Sequence, residues 1–138
     1  MSDLTTSEKL VIEPTFTTPE IVFDPGNRQF YLRGNSYPEN SVKFYGPVLE
    51  WLSRFVQNHV PTSESLTLEV HLEYFNTSTA KVLLDLFRYF EALQEKGQPV
   101  QIRWLYLAED TEMEDAGLDY QAAVKVPFEL VPLHEDQA

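Results

Sequence analysis

From Leu66 to Phe75 the chain alternates without a break: Leu66, Leu68, Val70, Leu72 and Tyr74 fall on one side, and Thr67, Glu69, His71 and Glu73 on the other. Side chains of a strand point to opposite faces in turn, so this run predicts a strand with one dry and one wet face. A parallel strand covered on both faces reads as apolar throughout. The sheet that contains this strand is therefore expected to carry its helices mainly on one side. The segment directly after it, Asn76-Thr77-Ser78-Thr79, opens a long amphipathic run to about Lys96, with Leu83, Leu86, Phe87, Phe90 and Leu93 at helical spacing. Gly97 and Pro99 mark its end.

The remaining elements follow from the same periods. Residues 1–17 are polar and rich in Ser and Thr, and read as a flexible arm with local docking of Val11-Ile12 at most. Residues 18–133 form the domain, and 134–138 a short tail. Glu20 to Asp24 and Arg28 to Arg33 flank the turn Pro25-Gly26-Asn27 and predict a hairpin. Gly34 to Asn40 reads as a loop. A helix follows from Ser41 to Asn58, with Val42, Tyr45, Val48, Leu49, Leu52, Phe55 and Val56 as its stripe. Pro47 predicts a start near Gly46 or a kink. Val100 to Leu107 is a strand with Val100, Ile102, Trp104 and Tyr106 inward and Arg103 outward, opposite Glu69 or Glu73. Thr111-Glu112-Met113-Glu114 resembles a capping box for a short helix to Val124. Val126 to Val131 is a last edge strand between Pro127 and Pro132. The order is β-β-α-β-α-β-α-β, a single α/β domain with a mixed sheet and two parallel strand–helix–strand units.

Composition removes several functions. With 22 acidic and 10 basic residues the net charge is −12, which repels nucleic acid. The absence of Cys removes disulfides, thiolate metal sites and a Cys nucleophile. No run approaches the roughly 20 apolar residues of a membrane span. The first residues lack the basic-then-apolar pattern of a secretory signal, so a cytoplasmic location is expected.

Four constellations could carry function. Asn76-Thr77-Ser78-Thr79 puts hydroxyls at a helix start, where unpaired N–H groups and the macrodipole stabilise an added phosphate. An ordinary helix cap explains the same residues, and both readings stand on the sequence. The acidic run Glu109-Asp110, Glu112, Glu114-Asp115 lacks the spacing and the Gly of a calcium loop and reads as a charged helix start. His59, His71 and His134 show no metal-ligand spacing, although His71 alternates with Glu69 and Glu73. Gly34 to Asn40 surrounds an aromatic with polar groups and suits either a turn or a contact loop. No catalytic residue, metal site or cofactor is indicated. A small-ligand binder remains the rival class, and a metal-dependent enzyme using His71 a third.

The segments Thr18-Pro19-Glu20-Ile21, Gly34-Asn35-Ser36-Tyr37-Pro38-Glu39-Asn40, Phe44-Tyr45-Gly46-Pro47 with Glu50-Trp51-Leu52, and Tyr74-Phe75-Asn76-Thr77-Ser78 with Ala80-Lys81 together resemble the SiaC family of bacterial regulatory phosphoproteins. Trp104, Tyr106, Met113 and Pro127-Phe128 extend the resemblance over residues 18–131. It implies a STAS-like fold similar to anti-sigma-factor antagonists, and partner switching without catalysis. A Ser/Thr kinase phosphorylates the Thr of the Asn-Thr-Ser block, a PP2C-type phosphatase reverses this, and the unphosphorylated form binds an output protein such as a diguanylate cyclase. Control of transcription as an anti-sigma-factor antagonist is the alternative output. By position the acceptor is Thr77, and Thr79 stands where the family pattern has Ser. Asn35, Ser36, Tyr37, Pro38, Glu39, Asn40, Asn76, Ser78, Thr79 and Lys81 are then expected to contact partners.

Overall fold

The computed structural model describes residues 8–135. Its elements are β1 (Leu10–Ile12), β2 (Glu20–Asp24), β3 (Gln29–Ser36), α1 (Ser41–Asn58), β4 (Leu66–Phe75), α2 (Thr77–Glu95), β5 (Val100–Leu107), α3 (Thr111–Ala123) and β6 (Phe128–Leu133). The six strands lie in one sheet in chain order. β1–β2 and β2–β3 are antiparallel, while β3–β4, β4–β5 and β5–β6 are parallel. There are thus three parallel strand–helix–strand units rather than two. Leu10–Ile12 is not loose arm but an edge strand in register with Ile21 to Phe23. Three residues are too few to show a period, so only the neighbouring edge reveals them as a strand.

The sheet is dry on one face. Ile21, Phe23, Phe30, Leu32, Leu68, Val70, Leu72, Val100, Ile102 and Trp104 are buried there. Against them pack Tyr45, Val48, Leu52 and Phe55 of α1, and Leu83, Leu86, Phe87, Phe90 and Leu93 of α2. Ring contacts, mostly tilted or edge-on, organise this layer: Phe30 meets Phe23, Phe55 and Phe90, and Trp104 meets Phe75, Tyr120 and Phe128. α3 covers the β5 side, where the Trp104 indole donates to the Met113 carbonyl at 3.0 Å. On the open face Arg103 bridges Glu69 at 2.6 Å and Glu129 at 3.3 Å. Glu69 and His71 are half-buried and Glu73 is exposed, and among the described residues no helix packs over the wet side of β4.

Three local readings are corrected. α1 runs continuously through Pro47. Pro47 is on the exposed face, so the Lys43 carbonyl left without its N–H partner faces solvent and costs little. β3 extends through Gly34, Asn35 and Ser36, three residues whose turn-forming composition predicts a loop. α3 is capped by Asp110, whose carboxylate accepts from the Met113 N–H at 3.1 Å, so Thr111 is already helical and the capping box is not formed. The stop at Gly97 has the expected form: φ is +106°, and the Gln98 N–H reaches back to the Leu93 carbonyl at 3.1 Å.

Candidate functional site

The parallel connections bring the starts of α1 and α2 to the same edge of the sheet, beyond the ends of β3 and β4. Each helix is capped by an asparagine. The Asn40 side chain accepts from the Lys43 N–H at 3.0 Å, and the Asn76 side chain accepts from the Thr79 N–H at 2.9 Å. The two helix starts are joined directly, since the Ser41 and Ser78 hydroxyls hydrogen-bond to one another. Ser78 also donates to the Asn76 side chain at 3.1 Å.

Beneath this surface lies a buried hydroxyl triad. Ser36 Oγ is 2.7 Å from Tyr45 Oη and 2.8 Å from Thr79 Oγ1, and Thr79 Oγ1 donates to the Ser36 carbonyl at 3.1 Å. The Asn76 N–H donates to the same carbonyl at 3.0 Å. The triad ties the end of β3 to the first turns of both helices. Burial pushes the Tyr45 phenol up to about 12, with its hydroxyl partners opposing the shift. Of the residues expected to contact partners, Ser36 and Thr79 are 0% exposed and Pro38 is buried, and the first two bond to one another inside the fold. A hydroxyl at helix position three points inward here because the sheet lies on that side of α2.

Thr77 differs from both neighbours. It is the first helical residue, it is exposed, and among the described residues its hydroxyl makes no hydrogen bond. Asn76, not Thr77, is the cap. Of the residues at this edge, Tyr37, Glu39, Asn40, Ser78 and Lys81 are exposed, and Asn35 and Asn76 are partly buried.

Tyr74 is the residue the alternation misplaces. In the pairing of β3 with β4, Gly34 faces Leu72 but Asn35 faces Tyr74, so Glu73 is an extra residue on β4. This bulge flips the phase for the last two positions. Tyr74 turns outward, 55% exposed, and stacks edge-on with Tyr37 at 5.6 Å between ring centres. Phe75 turns inward instead, against Trp104. Gly34, at φ +115°, supplies a backbone conformation that other residues rarely adopt at the bulge.

The other constellations separate. His59 hydrogen-bonds Gln98 at 2.8 Å, on the loop side remote from Thr77. His71, Glu73, Asp110 and Met113 line a cleft of about 150 Å³, well below the roughly 300–1,000 Å³ of small-molecule sites. Among the described residues no group of three His, Asp or Glu is placed to hold a metal ion, and no helix is long and apolar enough to cross a membrane.

The chain is thus an α/β domain with its helices on one face of a mixed sheet and an exposed, unengaged hydroxyl, Thr77, where two helix starts meet. A family model for SiaC family regulatory phosphoproteins matches residues 12–133, and the chain belongs to that family. An uncharacterised protein of Pseudomonas aeruginosa (strain UCBPP-PA14) is 31% identical over 119 residues, 86% of this chain and 92% of that protein. The crystal structure of apo-SiaC from Pseudomonas aeruginosa is similar with a TM-score of 0.78 at 30% identity, covering 90% of this chain and 98% of that one. A chain in the structure of the diguanylate cyclase SiaD in complex with its activator SiaC, from the same species, is similar with a TM-score of 0.80 at 30% identity, covering 90% and 99%.

Proposed function

We propose that this protein is a non-catalytic, cytoplasmic partner switch whose state is written on Thr77. A Ser/Thr kinase transfers the γ-phosphoryl group of ATP to Thr77 Oγ1, releasing ADP as the hydroxyl gives up its proton. A PP2C-type phosphatase hydrolyses the ester with water and restores the hydroxyl. The unphosphorylated form binds and activates an output enzyme, a diguanylate cyclase, through the surface formed by Tyr37, Glu39, Asn40, Ser78 and Lys81. The observation that carries this reading is the position of Thr77: exposed, helical and outside the hydrogen bonds that occupy Asn76, Ser78 and Thr79. The related cyclase–activator complex supports the choice of output.

The mechanism is local. A phosphate adds about −1.5 to −2 charges and three acceptor oxygens. Placed near exposed Tyr37 and Tyr74, it makes closure of a partner over these rings costly, because a dianion at the interface must give up water that one lysine only partly replaces. The helix start tolerates the anion, so the domain stays folded. Phosphosite mapping after incubation with a cognate kinase and ATP is expected to find Thr77 modified, with partner affinity lower for the modified form. Thr77→Ala is expected to abolish modification and retain binding, and Thr77→Glu to weaken binding. Equal affinity of the two forms would overturn the switch, and phosphate on Ser78 alone would move it.

A further inference from the structure

We propose that Lys81 is the internal counter-ion of a phosphoryl group on Thr77, its side chain folding back over one helical turn to bind it. The inference rests on the reading of Thr77 as the modified residue and concerns what holds the phosphate once it is there. Thr77 and Lys81 are four residues apart on α2, both exposed, and so lie on one helix face. A long side chain on a helix covers the turn N-terminal to its own Cα, which for Lys81 is the turn that begins with Thr77. An anion placed N-terminal to a lysine at this spacing is also the more favourable order.

Among the described residues the charge pattern leaves Lys81 as one of the few cations with an unengaged side chain, with Lys43 and with Lys125, which lies by Gln94 at the far end of α2. Arg28, Arg33, Arg54, Arg88 and Arg103 each pair with a carboxylate, and Lys96 holds the carbonyls of Val56 and His59. On a chain of net charge −12, the Lys81 side chain has no ion pair or hydrogen bond among the described residues, although Asp85 stands one turn further along. The direction in which lysine leans explains this, since Asp85 is on its C-terminal side. The other charged groups at this edge include Glu39 and Lys43 at the head of α1, Glu73 on β4, and Asp110 and Glu112 at the start of α3, which share a cleft with Tyr74 and Phe75. Lys43 is two residues from Ser41, which touches α2, so it projects from the far side of α1. Lys81 is thus the cation placed to reach Thr77.

The test uses the full chain with phosphothreonine installed at residue 77 during translation, so its outcome does not depend on any kinase. The second ionisation of the phosphate is followed by phosphorus NMR. Its midpoint is expected to lie lower in the parent than in Lys81→Gln, to stay low in Lys81→Arg, and to be unmoved by Lys43→Gln, which removes the same charge elsewhere. Added salt is expected to raise the parent toward Lys81→Gln. Equal midpoints for the parent and Lys81→Gln, or an equal shift in Lys43→Gln, would overturn the inference. Failure of a kinase to modify Thr77 would instead overturn the proposed function and leave this measurement standing.

Discussion

At the scale of single residues, neighbouring hydroxyls carry different work. Thr79 serves the interior, Ser78 joins two helices, and the Thr77 hydroxyl makes no hydrogen bond among the described residues. Stability should divide in the same way. Asn76→Ala removes the side chain that satisfies the Thr79 N–H and is expected to cost about 0.5–2 kcal/mol in urea melts. Thr79→Val removes a buried donor to the Ser36 carbonyl and is expected to cost about 1–3 kcal/mol. Thr77→Ala should stay within about 0.5 kcal/mol of the parent, because it touches neither the cap nor the core. A loss at Thr77 as large as at Asn76 would mean that its hydroxyl supports the fold.

At the scale of elements, α2 and α3 are placed by packing at particular points. Phe90 is fully buried and meets Phe30 edge-on, so Phe90→Ala is expected to cost about 3–5 kcal/mol. A loss below 1 kcal/mol would mean the packed face of α2 is another one. Gly117 presents the opposite case. A Cβ there would sit 2.6 Å from the Trp104 ring, which is itself held by its bond to the Met113 carbonyl. Alanine favours a helix by about 1 kcal/mol over glycine, but forcing a methyl group into a packed site costs about 1–3 kcal/mol. Because Trp104 cannot retreat without losing that hydrogen bond, Gly117→Ala is expected to destabilise on balance, read as a lower denaturation midpoint.

At the scale of the whole molecule, the buried phenols link stability to alkaline pH. The unfolded chain ionises tyrosine near 10, whereas burial holds Tyr45 at about 12 in the fold and raises Tyr120 as well, with Asp119 adding to the effect. Below pH 10 both states keep these protons and the contribution is complete. As pH rises from 10 toward 12 the unfolded state releases them first, so stability is expected to fall by up to about 1.4 kcal/mol per pH unit for each group. Urea midpoints measured across this range should fall less steeply in Tyr45→Phe. An unchanged slope would mean Tyr45 is not the group responsible.

The sequence by itself determined the periodic features: the dry and wet faces of β4 and β5, the stripe of α2 and that of α1 apart from Val42, which is 81% exposed, the stop at Gly97 and the hydroxyl cluster at a strand–helix junction. These are legible because burial on one side of a sheet writes a repeat into the chain itself. Only the tertiary structure decided matters of a single residue's phase. The extra residue at Glu73 becomes visible when β4 is laid against β3, and it sends Tyr74 out and Phe75 in. Whether Asn76 or Thr77 caps α2, and whether Ser36 and Thr79 face solvent or one another, depends on where the end of β3 stands relative to two helix starts. Several side chains in that stretch can cap a helix, and no local rule separates them. The choice between them falls to the buried carbonyl of Ser36, which lies some 40 positions away along the chain and needs a donor once water is excluded.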